Sequence, residues 1–526
     1  MEDYAGEYAK EYNIKFRKYQ QKVINSIVDA FLNKDYKNVV VEAPTGFGKS
    51  LVNYMVALIL FEHEGFDAWY TTPQVSLLDQ LEKDKLIDAL GGIAIIKGKD
   101  KYICPFHRGI NKEPVPVNLA PCNTQKGFVC RNYDQCPYNI AKAKAMDSWI
   151  AGMSFAFMIL TKDIDKYWGT RDLLIVDEAD DLESWAVDFG TLKFTTPQTF
   201  PNIYSVMRWA EVQLSNIRRK IRFYEEIPTK NAQIAAMLES LKRKEMKLEF
   251  FLDDAEDHPD NWTFTKKGAT LELKPIDAGI ILNTTIWWRG QYRLITSATI
   301  GPLQEFKRYT GLRGKTLFIR VPHPIPAENR PIIIKAVGKM TKEERQNTYD
   351  RLIETIVSIA NQHSDEKGII HAHSYEIANE IKRRLSLDRK IITHGKDDRT
   401  DKLSEFMSTD EPAIFVCVGF ERGLDLKYDL ARWQIITKVP YPDISDPRVR
   451  EIWVKRKNWR WARYQAIKTL IQACGRIVRA EDDYGVTYIL DSSINHLLKY
   501  KKEFPSWFLE AISHDVGTIN STLKVI

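Results

Sequence analysis

Residues 39–61 read VVVEAPTGFGKSLVNYMVALILF. Val39–Val41 is a short apolar run, EAPTGFGKS (residues 42–50) a glycine-bearing turn, and the stretch from Leu51 a helical pattern. A strand, a turn and a helix in that order aim backbone N–H groups and a helix N-terminus at one point, an arrangement suited to phosphate. Gly46 and Gly48 let the backbone wrap closely around an anion, with Thr45 and Phe47 completing the loop. Lys49 is placed to pair with β and γ phosphates, and Ser50 to ligate Mg²⁺. Ala43 stands where the general motif has Gly.

Outward from this loop, the matching element is LLIVDEAD, residues 173–180. An apolar strand ends in two carboxylates. Asp177 is expected to hold Mg²⁺ through water, and Glu178 to orient or deprotonate an attacking water, because phosphoryl transfer needs positioning and charge neutralisation above all. Upstream, Arg17 and Gln20 precede the first strand, and Gln20 has both a donor and an acceptor with which to read an adenine edge. TSATI (residues 296–300) carries small hydroxyl residues suited to coupling nucleotide state to domain motion.

The rest of the chain repeats the alternation. Ala68–Thr71, Leu173–Val176 and Arg293–Thr296 are further strand candidates in the first half. Gly368–His371, Lys390–Thr393, Ala413–Val418, Gln434–Val439 and Val486–Leu490 are those of the second. Continuous apolar strands separated by helices indicate α/β domains with parallel sheets covered on both faces. VPHPIPAENRP (residues 321–331), with four prolines, reads as a linker. Residues 200–256 show apolar positions every three or four residues, from Ile203 to Tyr224 and again from Ile234 to Leu252, the pattern of an antiparallel helical hairpin.

Composition excludes several classes. The chain has 526 residues, 44% hydrophobic and 28% charged, so it is not mainly disordered. The longest apolar stretch, Leu51–Phe61, is shorter than the roughly 18–20 residues of a membrane span. The acidic start MEDYAGEYAKEYN reads as neither a signal nor a transit peptide, which gives a cytoplasmic expectation. Of six cysteines, Cys104, Cys122, Cys130 and Cys136 fall in one proline-rich segment. Four thiolates suit either a [4Fe–4S] cluster or zinc, although close C-x2–4-C pairs typical of structural zinc are absent.

Taken in order, APTGFGKS, TTPQVSLLDQ (71–80), DEAD, SATI, IIHAHSYE (369–376), GFERGLDL (419–426) and QACGRIVR (472–479) resemble the motifs of the XPD/DinG iron–sulfur group of superfamily 2 helicases, over nearly the whole chain. The resemblance implies two RecA-like phosphate-loop domains. The first would comprise residues 1–99, 141–195 and 285–320, interrupted by an iron–sulfur insert (100–140) and a helical arch-like insert (196–284). A linker (321–331) would join it to the second, residues 332–526. It implies that Arg476 and Arg479 cross the cleft to the γ phosphate, that Gln472 helps position water, and that Gly423 and Asp425 link nucleotide to DNA. It also implies ATP, Mg²⁺ and a structural [4Fe–4S] cluster on the four cysteines, and an ATP-dependent DNA helicase moving 5′→3′ on single strands. A monomer, of prokaryotic, archaeal or phage origin, is expected.

Nucleic-acid candidates centre on residues 448–479, with ten basic residues against Glu451 alone. Lys455, Arg456, Trp459, Arg460 and Trp461 combine cations with aromatic faces, as single-strand binding requires. Thr72, Arg330, Ser374 and Tyr375 are added on the resemblance; Lys220, Arg222, Lys242, Arg243 and Lys244 on the hairpin are weaker candidates. DEAD replaces the DEAH common in this group, and that lettering is shared with RNA helicases. An RNA or RNA–DNA hybrid remodeller, and an ATP-gated clamp without unwinding, are the alternative readings.

Overall fold

The structure is a computed structural model, and it describes residues 2–108, 112–125, 127–160, 168–227, 231–419, 426–480 and 482–513. Gly423 and Asp425 lie outside the described residues. Two seven-stranded parallel sheets organise the chain. In the first lobe the strands run in the spatial order Thr316–Arg320, Asn38–Glu42, Gly290–Ser297, Arg171–Val176, Ala68–Thr72, Ile150–Ser154 and Ala94–Ile95. All pair in parallel, so all carboxyl ends lie on one edge, where ligands of open α/β sheets bind. The phosphate-loop strand is fully buried and neighbours the strand ending in Thr296 and Ser297. That strand in turn neighbours the one ending in Val176. Strand order thus brings the loop, the SAT segment and the DEAD box together from positions over 100 residues apart.

The second lobe repeats the design with strands Lys390–Thr393, Ala413–Cys417, Gly368–His371, Trp433–Ile436, Val486–Asp491, Ile332–Gly338 and Ile512–Ser513. Between the lobes, residues 321–331 hold no regular element except the 3-10 turn Ala327–Asn329. Among the described residues no helix is long and apolar enough to cross a membrane.

Two segments depart from the sheet architecture. Helices Ile203–Glu226 and Ala232–Asp257 pack through Val206, Ala210, Leu214, Leu248 and Phe251. They stand on an antiparallel sheet of Leu192–Thr195, Thr270–Pro275 and Trp262–Lys267, which the sequence reading missed. Helix Ala278–Thr285 belongs to the first lobe, because Ala278, Ile281 and Leu282 are buried with Ala186 and Val187 in its core. The cysteine-bearing segment holds the two-stranded Ile103–Arg108/Pro114–Pro116 pair, short helical turns, and helix Pro137–Asp147 starting just after Cys136.

Candidate functional site

Glycine geometry shapes the phosphate loop. Gly46 and Gly48 both have φ of +81°, a left-handed backbone that L side chains rarely adopt. Helix Lys49–Glu64 begins at Gly48 with no side-chain cap, so its first N–H groups face the loop. The loop is held from outside by two upstream residues. Arg17 Nη1 donates to the Gly46 carbonyl at 2.6 Å, and Gln20 Nε2 to the Phe47 carbonyl at 2.7 Å. Gln20 Oε1 accepts from the Arg17 N–H at 2.8 Å, so the buried Gln20 amide links the loop to the second residue that holds it. In this structure it braces the loop from outside.

Facing the loop, Asp177 is buried and accepts from Tyr70 Oη at 2.7 Å and Thr296 Oγ1 at 3.0 Å. Glu178 adopts a left-handed φ of +51°, uncommon for a residue with a Cβ and typical of strained functional positions. That turn brings its carboxylate 3.3 Å from Lys49 Nζ. Burial pushes the Glu178 carboxyl above the usual range, and Lys49 counteracts it. Burial also disfavours the Lys49 ammonium, but Glu178 and Asp177 outweigh this and hold it above the ordinary lysine range. The two carboxylates thus favour the charged form of the lysine.

The second lobe closes over this edge. Gln472 Nε2 donates to the Asp180 carboxylate and, at 3.1 Å, to Thr299 Oγ1. Asp180 also accepts from Ser297 Oγ, so DEAD box, SAT segment and arginine motif meet at one carboxylate. A Cβ on Gly475 would sit 3.5 Å from Thr45 Oγ1, and one on Gly46 would sit 2.9 Å from the Arg479 carbonyl. Arg476 Nε donates to the Gln472 carbonyl at 2.9 Å. A cavity of about 490 Å³ opens between Arg17, Gly46, Pro324, Ile325, Lys427, Arg479 and Ala480. Loop and arginine motif thus line a common space, and this geometry suits a nucleoside triphosphate.

One buried carboxylate was not singled out from the sequence. Glu183, on helix Leu182–Gly190, accepts from Arg448 Nη2 at 2.6 Å, Trp461 Nε1 at 3.2 Å and Gln465 Nε2 at 2.7 Å, all from the second lobe. Burial opposes its charge, yet Arg448 and Lys468 keep its carboxyl below the usual range. The available signal was its spacing, three residues beyond Asp180 and on the same side of the following helix.

The nucleic-acid candidates divide. Trp461 is buried among Ile276, Tyr309, Ile452 and Tyr464 between the lobes, so its role as a base-stacking face is corrected to one of packing. Arg330 donates to the carbonyls of Ile325 and Trp507 at 3.0 and 2.8 Å, and burial lowers its pKa to about 10. It fastens the linker rather than facing solvent. Thr72 is fully buried at its strand end, and Ser374 caps helix Tyr375–Arg384 by accepting from the Ile377 N–H at 3.2 Å. Tyr375 Oη donates to the Gly395 carbonyl at 3.3 Å. Arg460 pairs with Glu305 at 3.1 Å, Arg456 donates to the Asp260 carbonyl, and Lys455 pairs with Glu451 at 2.8 Å. Trp459 remains 61% exposed, edge-on to Trp453, which stacks on Tyr441.

A second cavity, of about 580 Å³, lies where the first lobe, the cysteine-bearing segment and the helical arm meet. Lys99, Lys101, Lys242 and Arg243 supply its cations, and Tyr138 and Phe157 its rings. In the cysteine-bearing segment, Cys104 is buried against Val117 and Ala120 with Cys136 packed beside them. Burial and the neighbouring Cys130, Cys136 and Cys104 together push the Cys122 thiol up. The four thiols therefore share one neighbourhood, a donor set whose chemistry fits iron–sulfur ligation. Even so, no group of three or more His, Cys, Asp or Glu side chains among the described residues is arranged to hold a metal ion.

Residues 13–184 match the res subunit of type III restriction enzymes, and residues 356–511 match the helicase C-terminal domain. Across 97% of its length the chain is 22% identical to a probable ATP-dependent helicase of Methanocaldococcus jannaschii, covering 95% of it. It is 24% identical to the ATP-dependent DNA helicase DinG of Photobacterium profundum, over 45% of this chain and 36% of that protein. The chain thus spans nearly all of the archaeal relative and about a third of the DinG relative. A solved XPD helicase has the same fold, with a TM-score of 0.62 at 15% identity over 95% of this chain and 100% of the other.

Proposed function

With the chain an XPD/DinG-like superfamily 2 helicase, an ATP-hydrolysing enzyme, we propose that it moves 5′→3′ along single-stranded DNA and separates duplex ahead of it. The observation that carries this reading is the split site. Lys49 and Glu178 belong to one lobe, Gln472, Arg476 and Arg479 to the other, and the two sets meet across a polar cleft. Nucleotide bridging Lys49 and Arg479 favours closure, and hydrolysis removes the bridging charge and reopens the cleft. Ser50 directly and Asp177 through water would hold the Mg²⁺ that accompanies the nucleotide, which would supply charge neutralisation at the phosphates.

The DNA path is supported by the cavity with Lys99, Lys101, Lys242 and Arg243, whose cations suit a phosphate backbone and whose rings suit bases. Cys104, Cys122, Cys130 and Cys136 are the residues that would hold a [4Fe–4S] cluster. When bound, the cluster would supply a cross-link to a segment whose buried apolar cluster, among the described residues, is Cys104, Val117 and Ala120. Anaerobically purified protein is expected to carry about four iron atoms per chain. Cys130→Ser is expected to lose most of that iron; iron-free wild-type protein rejects the cluster.

Polarity and substrate are tested together by strand displacement on forks with only a 5′ or only a 3′ single-stranded tail. Unwinding from the 5′ tail alone is the expected result; unwinding from the 3′ tail alone overturns the polarity, and preference for an RNA-tailed substrate overturns the DNA reading. Trp459→Ala is expected to weaken single-strand affinity roughly 5- to 150-fold, from about 1–3 kcal/mol per stacked base, with little change in Tm. Fluorescence anisotropy with a labelled oligonucleotide reads it, and unchanged affinity removes Trp459 from the path.

A further inference from the structure

Helix Trp459–Cys474 has two contrasting faces. Ala466, Ile467, Leu470, Ile471 and Ala473 are buried in the core of its own lobe, with Ile436 and Ile489. The other face carries Trp461, Gln465, Lys468 and Gln472, spaced four, three and four residues apart, which places them in one row. Every member donates to the first lobe. Trp461 and Gln465 reach the two Glu183 oxygens at 3.2 and 2.7 Å, Lys468 Nζ reaches the Asp180 carbonyl at 3.0 Å, and Gln472 reaches the Asp180 carboxylate. Arg448 completes the set from the preceding segment, binding Glu183 at 2.6 Å and the Ile276 carbonyl at 2.8 Å.

Such a row fixes register. Sliding the helix by one residue moves it about 1.5 Å and turns it about 100°. All four donors would then lose their acceptors inside a buried interface, where unpaired polar groups are costly. An apolar seam would tolerate the slip far better. The helix ends at Cys474, and Arg476 and Arg479 follow within five residues. Whatever sets the helix against the DEAD box therefore sets both arginines against the phosphate loop.

We propose that Glu183, Gln465 and Lys468 are positioning residues for ATP hydrolysis: by holding helix Trp459–Cys474 in register along residues 180–183, they deliver Arg476 and Arg479 to the γ phosphate. The inference rests on the arginine roles proposed above. It adds that the effective arginine motif begins eleven residues upstream of Gln472, at Trp461, and that its counterpart on the first lobe extends to Glu183.

The test uses the full chain with saturating single-stranded DNA, reading kcat and KM for ATP, Tm, and affinity for a fluorescent ATP analogue. Gln465→Glu sets a carboxylate against Glu183, whereas Gln465→Lys keeps a donor there. Gln465→Glu is expected to lower kcat about 10- to 100-fold, the scale of a misplacement near 1 Å, with KM within about twofold. Gln465→Lys is expected to stay within about threefold of wild type, since the donor is retained. Because the row acts through the two arginines, Gln465→Glu added to the double variant Arg476→Ala/Arg479→Ala is expected to cause no further loss. Independent, multiplying losses overturn the proposal, as does a Gln465→Glu variant whose Tm falls while kcat holds. If Arg479→Ala itself keeps its turnover, the arginine reading fails, and this inference with it. If only Gln465→Glu keeps its turnover, the arginine reading stands and the register role falls.

Discussion

Glu178→Gln is expected to lower single-strand-stimulated ATP turnover by about 10²–10⁴-fold, the range for loss of a positioned general base. The geometry that singles out this residue is local and unusual. The DEAD strand ends at Val176, and the chain turns at once through a left-handed backbone at Glu178. The strain places the carboxylate 3.3 Å from Lys49 Nζ, at the mouth of the loop, while the Glu178 N–H donates to Asp177 Oδ1 at 2.9 Å. Glutamine preserves size, turn and that backbone bond, but it cannot take a proton. It also removes the nearest of the carboxylates that offset Lys49, leaving more of the ammonium's charge for the phosphates. Nucleotide affinity is therefore expected to hold or rise as turnover falls. Phosphate release with excess DNA and titration of a fluorescent ATP analogue read the two quantities. Loss of both would point to damaged binding, and wild-type turnover would assign the water to another residue.

How much of this was legible in the sequence follows from which residues bury and against what. The strands around Val39–Val41, Leu173–Val176 and Gly368–His371 are apolar runs in parallel sheets, so composition alone located them. Ile150–Ser154 is equally buried but reads IAGMS, and its glycine and serine hide it. Charge was harder to read. Residues 448–479 look like a nucleic-acid surface because ten cations face a single acid. Yet Arg448 and Lys468 are buried at the lobe interface, bound to Glu183 and to the Asp180 carbonyl. Their acceptors lie some 260–290 residues away, and periodicity carries no information about a partner so distant. Trp461 failed in the same way, as an aromatic in a basic segment that packs between lobes. Gln20, read as able to donate and accept at once, does both here, donating to the Phe47 carbonyl of the loop and accepting from the Arg17 N–H.

The complementary loss belongs to the other lobe. Arg479→Ala is expected to reduce kcat by about 10³–10⁵-fold, the range observed when an arginine that neutralises transition-state charge is removed. Arg479 is held near the loop by its backbone. Its N–H donates to Asp483 at 3.3 Å, a fully buried carboxylate that also binds Arg432 Nη1 at 2.9 Å. Its carbonyl approaches Gly46 so closely that a Cβ there would lie at 2.9 Å. Truncating the side chain leaves these backbone contacts in place, so the fold and the closed arrangement of the lobes are expected to persist. What disappears is the guanidinium at the cavity shared with Arg17 and Gly46. Bound ATP already carries charge on its γ phosphate, but charge moves onto the β–γ bridging oxygen only as the bond breaks, so the part of this interaction that catalyses belongs to the transition state. The deficit should therefore fall on kcat, with the dissociation constant for nucleotide changed by less than about tenfold. Arg479→Lys is expected to recover only part of the loss, because an ammonium lacks the planar fork that meets two phosphate oxygens together. A variant that binds nucleotide poorly but turns over normally at saturation would move Arg479 from catalysis to ground-state binding.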